Sequence, residues 1–234
     1  MHYETLDNPV WASLTGTHSR LALVNGRAAR YPGDVSPFMG VPDNALPEDW
    51  RQLAALAGAD PVVLVNPPAS LPATWSLLRE IKGLQMLAPE EAHPAEPPMG
   101  DWQVDRLGPA DAADMLALAT ATEPGPFAAR TGVLGVYLGI RDQGKLIAMA
   151  GERLQPDEWI EISGVCTDPA YRGRGLARLL MELVAAGIRQ RGQRPFLHVV
   201  ATNAGAIRLY ESMGYVIRRT VDVNAYRPTG HPSW

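Results

Sequence analysis

The sequence predicts an α/β (α+β) fold, a mixed sheet flanked by helices, on three observations. Short apolar runs recur along the 234 residues, helical three- and four-residue spacings alternate with them in the second half, and a proline-rich stretch at 87–100 interrupts both patterns. That stretch sets Pro89, Pro94, Pro97 and Pro98 among Glu90, Glu91 and Glu96. It has little to bury and prolines that block helix and ladder, so it reads as an extended linker. The expected organisation is a mixed α/β domain at 1–88, a linker at 89–100 and a second domain at 101–234.

In the first part, residues 20–25, 61–65 and 81–87 are strand-like, and 47–58 begins with Pro47 and two acids and stops at Gly58, the asymmetry of a helix. Residues 31–47 carry Pro32, Pro37, Pro42 and Pro47 without a repeating sequence between them and read as a loop. After the linker, 102–107 is a strand, and 109–121 places Ala112, Met115, Leu116 and Ala119 on one helical face. Runs 133–141 and 145–154 flank Asp142-Gln143-Gly144, a hairpin turn with the glycine it needs. Strand 159–167, helix 175–191, strand 195–200, helix 203–213 and strand 215–225 complete the order β-α-β-β-β-α-β-α-β. A hairpin in the middle with alternating elements after it predicts a mixed sheet rather than a bundle or a sandwich.

Hydrophobic residues at 46% and charged residues at 20% are ordinary soluble usage, which excludes a disordered chain. No apolar run reaches the roughly 18 residues of a membrane span, and the first residues lack a basic, then apolar, leader pattern. A cytoplasmic protein with no membrane partner is expected. The single cysteine, Cys166, excludes an internal disulfide and a cysteine-rich zinc site, and no metal is expected. A net charge of −4 argues against a nucleic-acid partner. Yet residues 171–194 hold six arginines (172, 174, 178, 189, 191, 194) against one acid, Glu182, a local balance of +5.

The informative stretch is 162–177, where a strand runs through a glycine-rich turn into a helix whose Leu176, Leu179, Leu180, Leu183, Val184 and Ile188 form one apolar face. The N–H groups from Gly173 to Ala177 would then sit unpaired at the positive end of the helix dipole, an anion site suited to phosphate, with Arg172 and Arg174 beside it. A dinucleotide fingerprint would need glycine where Arg178 stands, and a P-loop would need Gly-Lys-Ser/Thr.

Arg172-Gly173-Arg174-Gly175-Leu176-Ala177 resembles the Arg/Gln-x-x-Gly-x-Gly/Ala signature of the GCN5-related N-acetyltransferases (GNAT), following a strand that ends Val-Cys-Thr-Asp-Pro. Asn203-Ala-Gly-Ala206-Ile-Arg-Leu-Tyr210-Glu-Ser-Met-Gly214-Tyr215 is similar to the family's Asn-x-x-Ala-x-x-x-Tyr-x-x-x-Gly-Phe segment, with Tyr215 for the usual Phe. The resemblance covers roughly 102–227 and is nearest the FR47-like subgroup, where a divergent half, read as a degenerate GNAT-like copy, precedes the acetyltransferase domain. It implies acetyl-CoA as co-substrate and an amine acceptor. Val165, Cys166 and Thr167 would border the pantetheine arm, with the main chain of Val165 and Thr167 pairing to it and the Val165 N–H polarising the thioester carbonyl. The N–H groups of Gly173, Arg174, Gly175, Leu176 and Ala177 would hold the pyrophosphate. Asn203 would bind the arm, and Tyr210 would protonate the departing thiolate.

Other readings stand beside these. Asn203 is also a ready helix N-cap and Tyr210 a ring that anchors its helix. Glu161, sharing a face with Ser163 and Val165 in regular alternation, is the first candidate for general base; a bulge would reverse that facing. Glu152 or water are the alternatives. Cys166 has no adjacent His or Lys and reads as a small buried hydrophobe rather than a nucleophile. His198 lines an acceptor pocket or is a satisfied core histidine, and arginines 189, 191 and 194 form a solvated face at a helix end. A non-catalytic coenzyme A sensor is the competing function, a first half that serves as an interaction module is a third, and a homodimer is left open.

Overall fold

A computed structural model describes residues 3–68, 71–91 and 101–229. The first half contains α1 (Pro9–Thr15), β1 (Leu23–Asn25), β2 (Ala28–Arg30), β3 (Met39–Gly40), α2 (Pro47–Ala57), β4 (Val62–Val65), β5 (Trp75–Arg79) and β6 (Lys82–Leu87). The second contains β7 (Val104–Leu107), α3 (Ala112–Thr122), β8 (Tyr137–Asp142), β9 (Lys145–Glu152), β10 (Trp159–Thr167), α4 (Leu176–Gln190), β11 (Arg194–Val200), α5 (Ala204–Ser212) and β12 (Val216–Pro228). The expected β-α-β-β-β-α-β-α-β order of the second half is the observed one. Among the described residues no helix is long and apolar enough to cross a membrane.

Four elements of the first half are additional to the sequence reading. Helix α1 has Pro9 at its first position and the Asn8 side chain accepting from Trp11 N–H at 3.4 Å; it is only seven residues long, too short for its spacing to stand out. Strands β2 and β5 have three and five residues, and β3 lies inside the expected 31–47 loop. Residues 20–25 divide into a 3-10 turn, Ser19–Leu21, and the exposed β1. Another 3-10 turn, Thr131–Leu134, takes the beginning of the expected 133–141 strand.

The main sheet has nine strands in the order β4-β12-β6-β11-β10-β9-β8-β7, with β5 also pairing β12; β1, β2 and β3 form a separate small antiparallel sheet. Only β10 and β11 run parallel, so the sheet is mixed. The sheet crosses the expected division at 89–100, because β6 lies between β11 and β12 and pairs antiparallel with both. Gly83 permits this close seating: a Cβ there would stand 3.1 Å from Val221 Cγ2 and 3.2 Å from the Val199 carbonyl oxygen. Most of the expected linker, 92–100, lies outside the described residues. Its beginning is fastened by Arg189, which donates to the Pro89 carbonyl at 2.7 Å, and by an Arg194–Glu90 pair at 3.5 Å.

The two faces of the sheet are covered differently. On one, Leu176, Leu180, Met181, Val184 and Ile188 of α4 pack on Ile147, Ile160, Ile162 and Leu197. On the other, Leu6, Val10 and Leu14 pack with Leu134, Trp159 and Phe196, while α3 lays Met115, Leu118 and Ala119 over Met149 and Cys166. The first half therefore shares a core with the second.

Candidate active site

Strands β10 and β11 pair over Trp159–Glu161 and Arg194–Phe196 and then separate. Past that apex β11 turns its edge to β6, through Val200, and β10 keeps pairing with β9. No pairing joins 163–167 to 198–200 beyond that point, which leaves a cleft between the two strands. Within β10 the register slips between Ser163 and Cys166, where Gly164 takes φ +63°, a bulge with two residues set against one. Beyond the bulge Asp168 N–H donates to the Ile147 carbonyl of β9 at 2.7 Å. Main-chain direction alternates along a strand, so Cys166 also faces β9, and Val165 and Thr167 turn their N–H and C=O groups into the cleft. The Thr167 hydroxyl there is buried and has no partner among the described residues.

The cleft leads to the N-terminus of α4. Asp168 sets the turn, accepting from Ala170 N–H at 2.9 Å and from Lys145 at 2.6 Å, while Tyr171 donates to Asp142 at 2.6 Å. Gly173 and Gly175 then adopt φ +78° and +79°, the left-handed region that favours glycine, and a Cβ at Gly173 would meet nothing within 4 Å. No side chain caps α4, and its first helical bond runs from Leu179 N–H to Gly175 O. The N–H groups of Leu176, Ala177 and Arg178 have no carbonyl inside the helix. Arg172 and Arg174 are exposed at this turn, with Arg174 resting 4.9 Å from the Tyr171 ring centroid. An extended arm along the β10 edge with a phosphate at the helix end fits these groups.

Tyr210 lies on the α4 face with Leu176, Leu180, Met213 and Tyr215, 8% exposed, its ring 6.1 Å from that of Tyr215. Burial pushes its phenol up to about 12, and its hydroxyl makes no hydrogen bond among the described residues. Asn203 is the N-cap of α5, its Oδ1 accepting from Ala206 N–H at 3.1 Å; the residue is exposed and keeps its amide donors. Capping and ligand contact are thus compatible there.

Glu161 is not where regular alternation would put it. Val165 packs on the α4 face, whereas Glu161 points to the opposite one, because the bulge reverses the facing between them. Its carboxylate is fully buried, accepting from Arg153 Nε at 2.8 Å, Arg153 Nη2 at 2.7 Å, His198 Nδ1 at 2.8 Å and Leu154 N–H at 3.3 Å. Burial alone would raise this carboxyl, but Arg153 and His198 hold it far below the usual carboxylate range. A carboxylate so engaged is not poised to take a proton, which weighs against Glu161 as the general base. Glu152 is also buried, accepting from Arg191 at 2.5 Å and Val136 N–H at 3.2 Å.

His198 is a satisfied histidine. Gln85 takes a bond from Arg218 on its oxygen at 2.7 Å and donates to Leu6 O at 2.8 Å, so its nitrogen, 3.1 Å from His198 Nε2, donates to the ring. Nδ1 then carries the proton that Glu161 accepts. Arg153 and Gln85 are the residues the sequence reading missed, and no local motif marks either. Burial pushes the Cys166 thiol up to about 11, in keeping with a small hydrophobe. Arginines 189, 191 and 194 are engaged rather than merely solvated: Arg191 holds Glu152, and Arg194 also lies over the Trp159 ring at 4.4 Å.

The comparisons with known proteins agree with this geometry. The family described as FR47-like protein matches residues 137–223. A solved structure of a putative acetyltransferase from the GNAT family of Novosphingobium aromaticivorans is 41% identical, covering 97% of this chain and 100% of that one, with a TM-score of 0.85. Among curated relatives, the mycothiol acetyltransferase of Thermomonospora curvata is 38% identical over 42% of this chain and 32% of its own length. The ribosomal protein bS18-alanine N-acetyltransferase of Escherichia coli is 35% identical over 44% of this chain and 68% of its own. The match thus spans about a third of the first relative and two thirds of the second. With the uncapped α4 turn and the split strands in place, the chain belongs to the GCN5-related N-acetyltransferase superfamily.

Proposed function

We propose that this protein is an acetyl-CoA-dependent N-acetyltransferase that passes the acetyl group directly to a primary amine. The observation that carries the reading is the continuity of the cleft: main-chain groups of Val165 and Thr167 outside the β9 ladder, with the Thr167 carbonyl taking a long 3.4 Å bond from Arg172 Nε, lead to the open N-terminus of α4. Val165 N–H and the Thr167 main chain hold the pantetheine arm as an added strand would. The N–H groups of Gly173 to Ala177, with Arg172 and Arg174, take the pyrophosphate. Asn203 donates to the arm from α5.

The amine nitrogen attacks the thioester carbon, a C–N bond forms and the C–S bond breaks. Holding both partners in the cleft supplies much of the acceleration. Val165 N–H stabilises the carbonyl oxygen as charge builds on it. Tyr210 gives its proton to the departing sulfur and regains one from solvent; a phenol held near 12 by burial is protonated at neutral pH and ready to do so. With Glu161 and Glu152 engaged, water takes the proton that the amine loses.

Thiol release from acetyl-CoA, measured against a panel of small-molecule amines and peptide α-amines, tests the reading. Turnover on at least one amine is expected, with Tyr210→Phe lowering kcat by about 10²-fold and leaving acetyl-CoA affinity within about twofold of wild type. Unchanged kcat would remove the acid role. Tight cofactor binding without turnover on any amine would favour the sensor.

A further inference from the structure

Tyr137 opens β8 on the face opposite α4, 1% exposed, and its hydroxyl has no partner among the described residues. Buried hydroxyls are nearly always paired, so one that is not asks for an explanation. Its position supplies one. A Cβ built on Gly164 would lie 3.1 Å from Tyr137 Cε1, 3.4 Å from the hydroxyl oxygen and 3.6 Å from Phe127 Cε2. The phenol thus ends over the bulge, beside the peptide that carries Val165 N–H.

Phe127, half-buried, meets the Tyr137 ring edge-on at 5.8 Å between centroids. Behind it the ring stands over Gly151, where a Cβ would fall 2.3 Å from Tyr137 Cγ. The phenol is therefore held on two sides with its hydroxyl directed at the bulge. The charged and titratable groups around it are Arg153, Glu161, Cys166 and Glu152, and none bonds to it. Burial pushes the phenol well above its ordinary range, so it keeps its proton and acts as a donor.

We infer that Tyr137 Oη is a second hydrogen-bond donor to the thioester carbonyl oxygen, acting with Val165 N–H from the face opposite Tyr210. The inference rests on the acetyl-CoA reading above and adds to it a catalytic residue outside both sequence motifs. It divides the labour between two phenols: Tyr210 serves the sulfur from the α4 side, and Tyr137 serves the oxygen from the other.

The test is Tyr137→Phe, which keeps the ring and removes only the hydroxyl. Isotope-edited infrared spectroscopy of carbonyl-¹³C acetyl-CoA bound to the full chain reads the bond directly. In the wild type the carbonyl band lies below that of the free thioester; in the variant it moves back up, kcat falls by about 10²-fold, and Tm is unchanged or higher. Identical bands in wild type and variant, or a lower Tm with kcat preserved, overturn the assignment and leave the acetyl-CoA reading intact. Failure of the wild type to bind acetyl-CoA overturns both.

Discussion

Replacing Glu161 by Gln tests the core of the site most directly. The carboxylate accepts four hydrogen bonds, two of them in a fork from Arg153, and neither its own side chain nor the guanidinium has more than a trace of contact with water. An amide of the same shape keeps one acceptor oxygen and turns two N–H groups toward donors, so the Arg153 charge loses its counter-charge and keeps one hydrogen-bond acceptor and the Phe38 ring, 4.9 Å away. Breaking a buried pair from one side costs about 3–5 kcal/mol. Taking 3 as the working figure, at about 2–4 °C per kcal/mol for a chain of this size, Tm falls by about 6–12 °C. Urea denaturation at neutral pH measures the same loss. Because the folded-state carboxyl is held below its ordinary value, its contribution is complete above the unfolded pKa and is lost as pH falls through the folded one. The gap between wild type and variant therefore narrows on acidification. An unchanged Tm together with a hundredfold loss of kcat would refute the reasoning and restore Glu161 as a base.

Two further outcomes follow from buried titratable groups. His18, 2% exposed, lies between the Tyr31 hydroxyl at 2.8 Å and the Leu134 carbonyl oxygen at 3.0 Å, and burial lowers its pKa to about 4. The unfolded chain binds the extra proton first, so stability should fall by on the order of 3 kcal/mol between about pH 6.5 and 4; His18→Gln should flatten that slope, and an unchanged slope by urea titration would contradict it. Cys166, with its thiol near 11, should resist iodoacetamide in the folded protein at pH 8 and react stoichiometrically in denaturant. Mass spectrometry decides, and rapid labelling of the native chain would overturn the inert reading.

The parts legible in the sequence are those with a local cause. The α4 turn was readable because phosphate-type geometry needs glycine at φ +78° and +79°, and glycine is visible in a sequence. The order of elements after the linker followed from apolar spacing and from the Gln143-Gly144 turn. Glu161 shows where such reading stops. Its period-2 argument was sound for a regular strand, and one slip between Ser163 and Cys166 sent its carboxylate to the other face. The partners that fix its chemistry, Arg153 and His198, are 8 and 37 residues away, and Gln85 is 113 residues from His198. Pairings at such separations leave no mark in any local window.

The place of β6 explains why the recognisable segment is not the whole working unit. Residues 137–223 carry the cleft strands and the α4 turn, yet β11 and the first half of β12 bond to a strand that precedes them by more than a hundred residues. Without β6 both would present unpaired edges beside the cleft, and an exposed edge invites pairing with another chain. The same strand brings Gln85, which ties His198 to Leu6 and Arg218, and Arg218 in turn holds Asp7 at 2.7 Å. One run of polar contacts thus passes from the apex of the cleft into the first half, on the face away from α4. The geometry of that apex is a property of both halves. Leu6 and Asp7 of the first half are thus joined to His198 and Glu161 by side chains in direct contact, Gln85 and Arg218 among them.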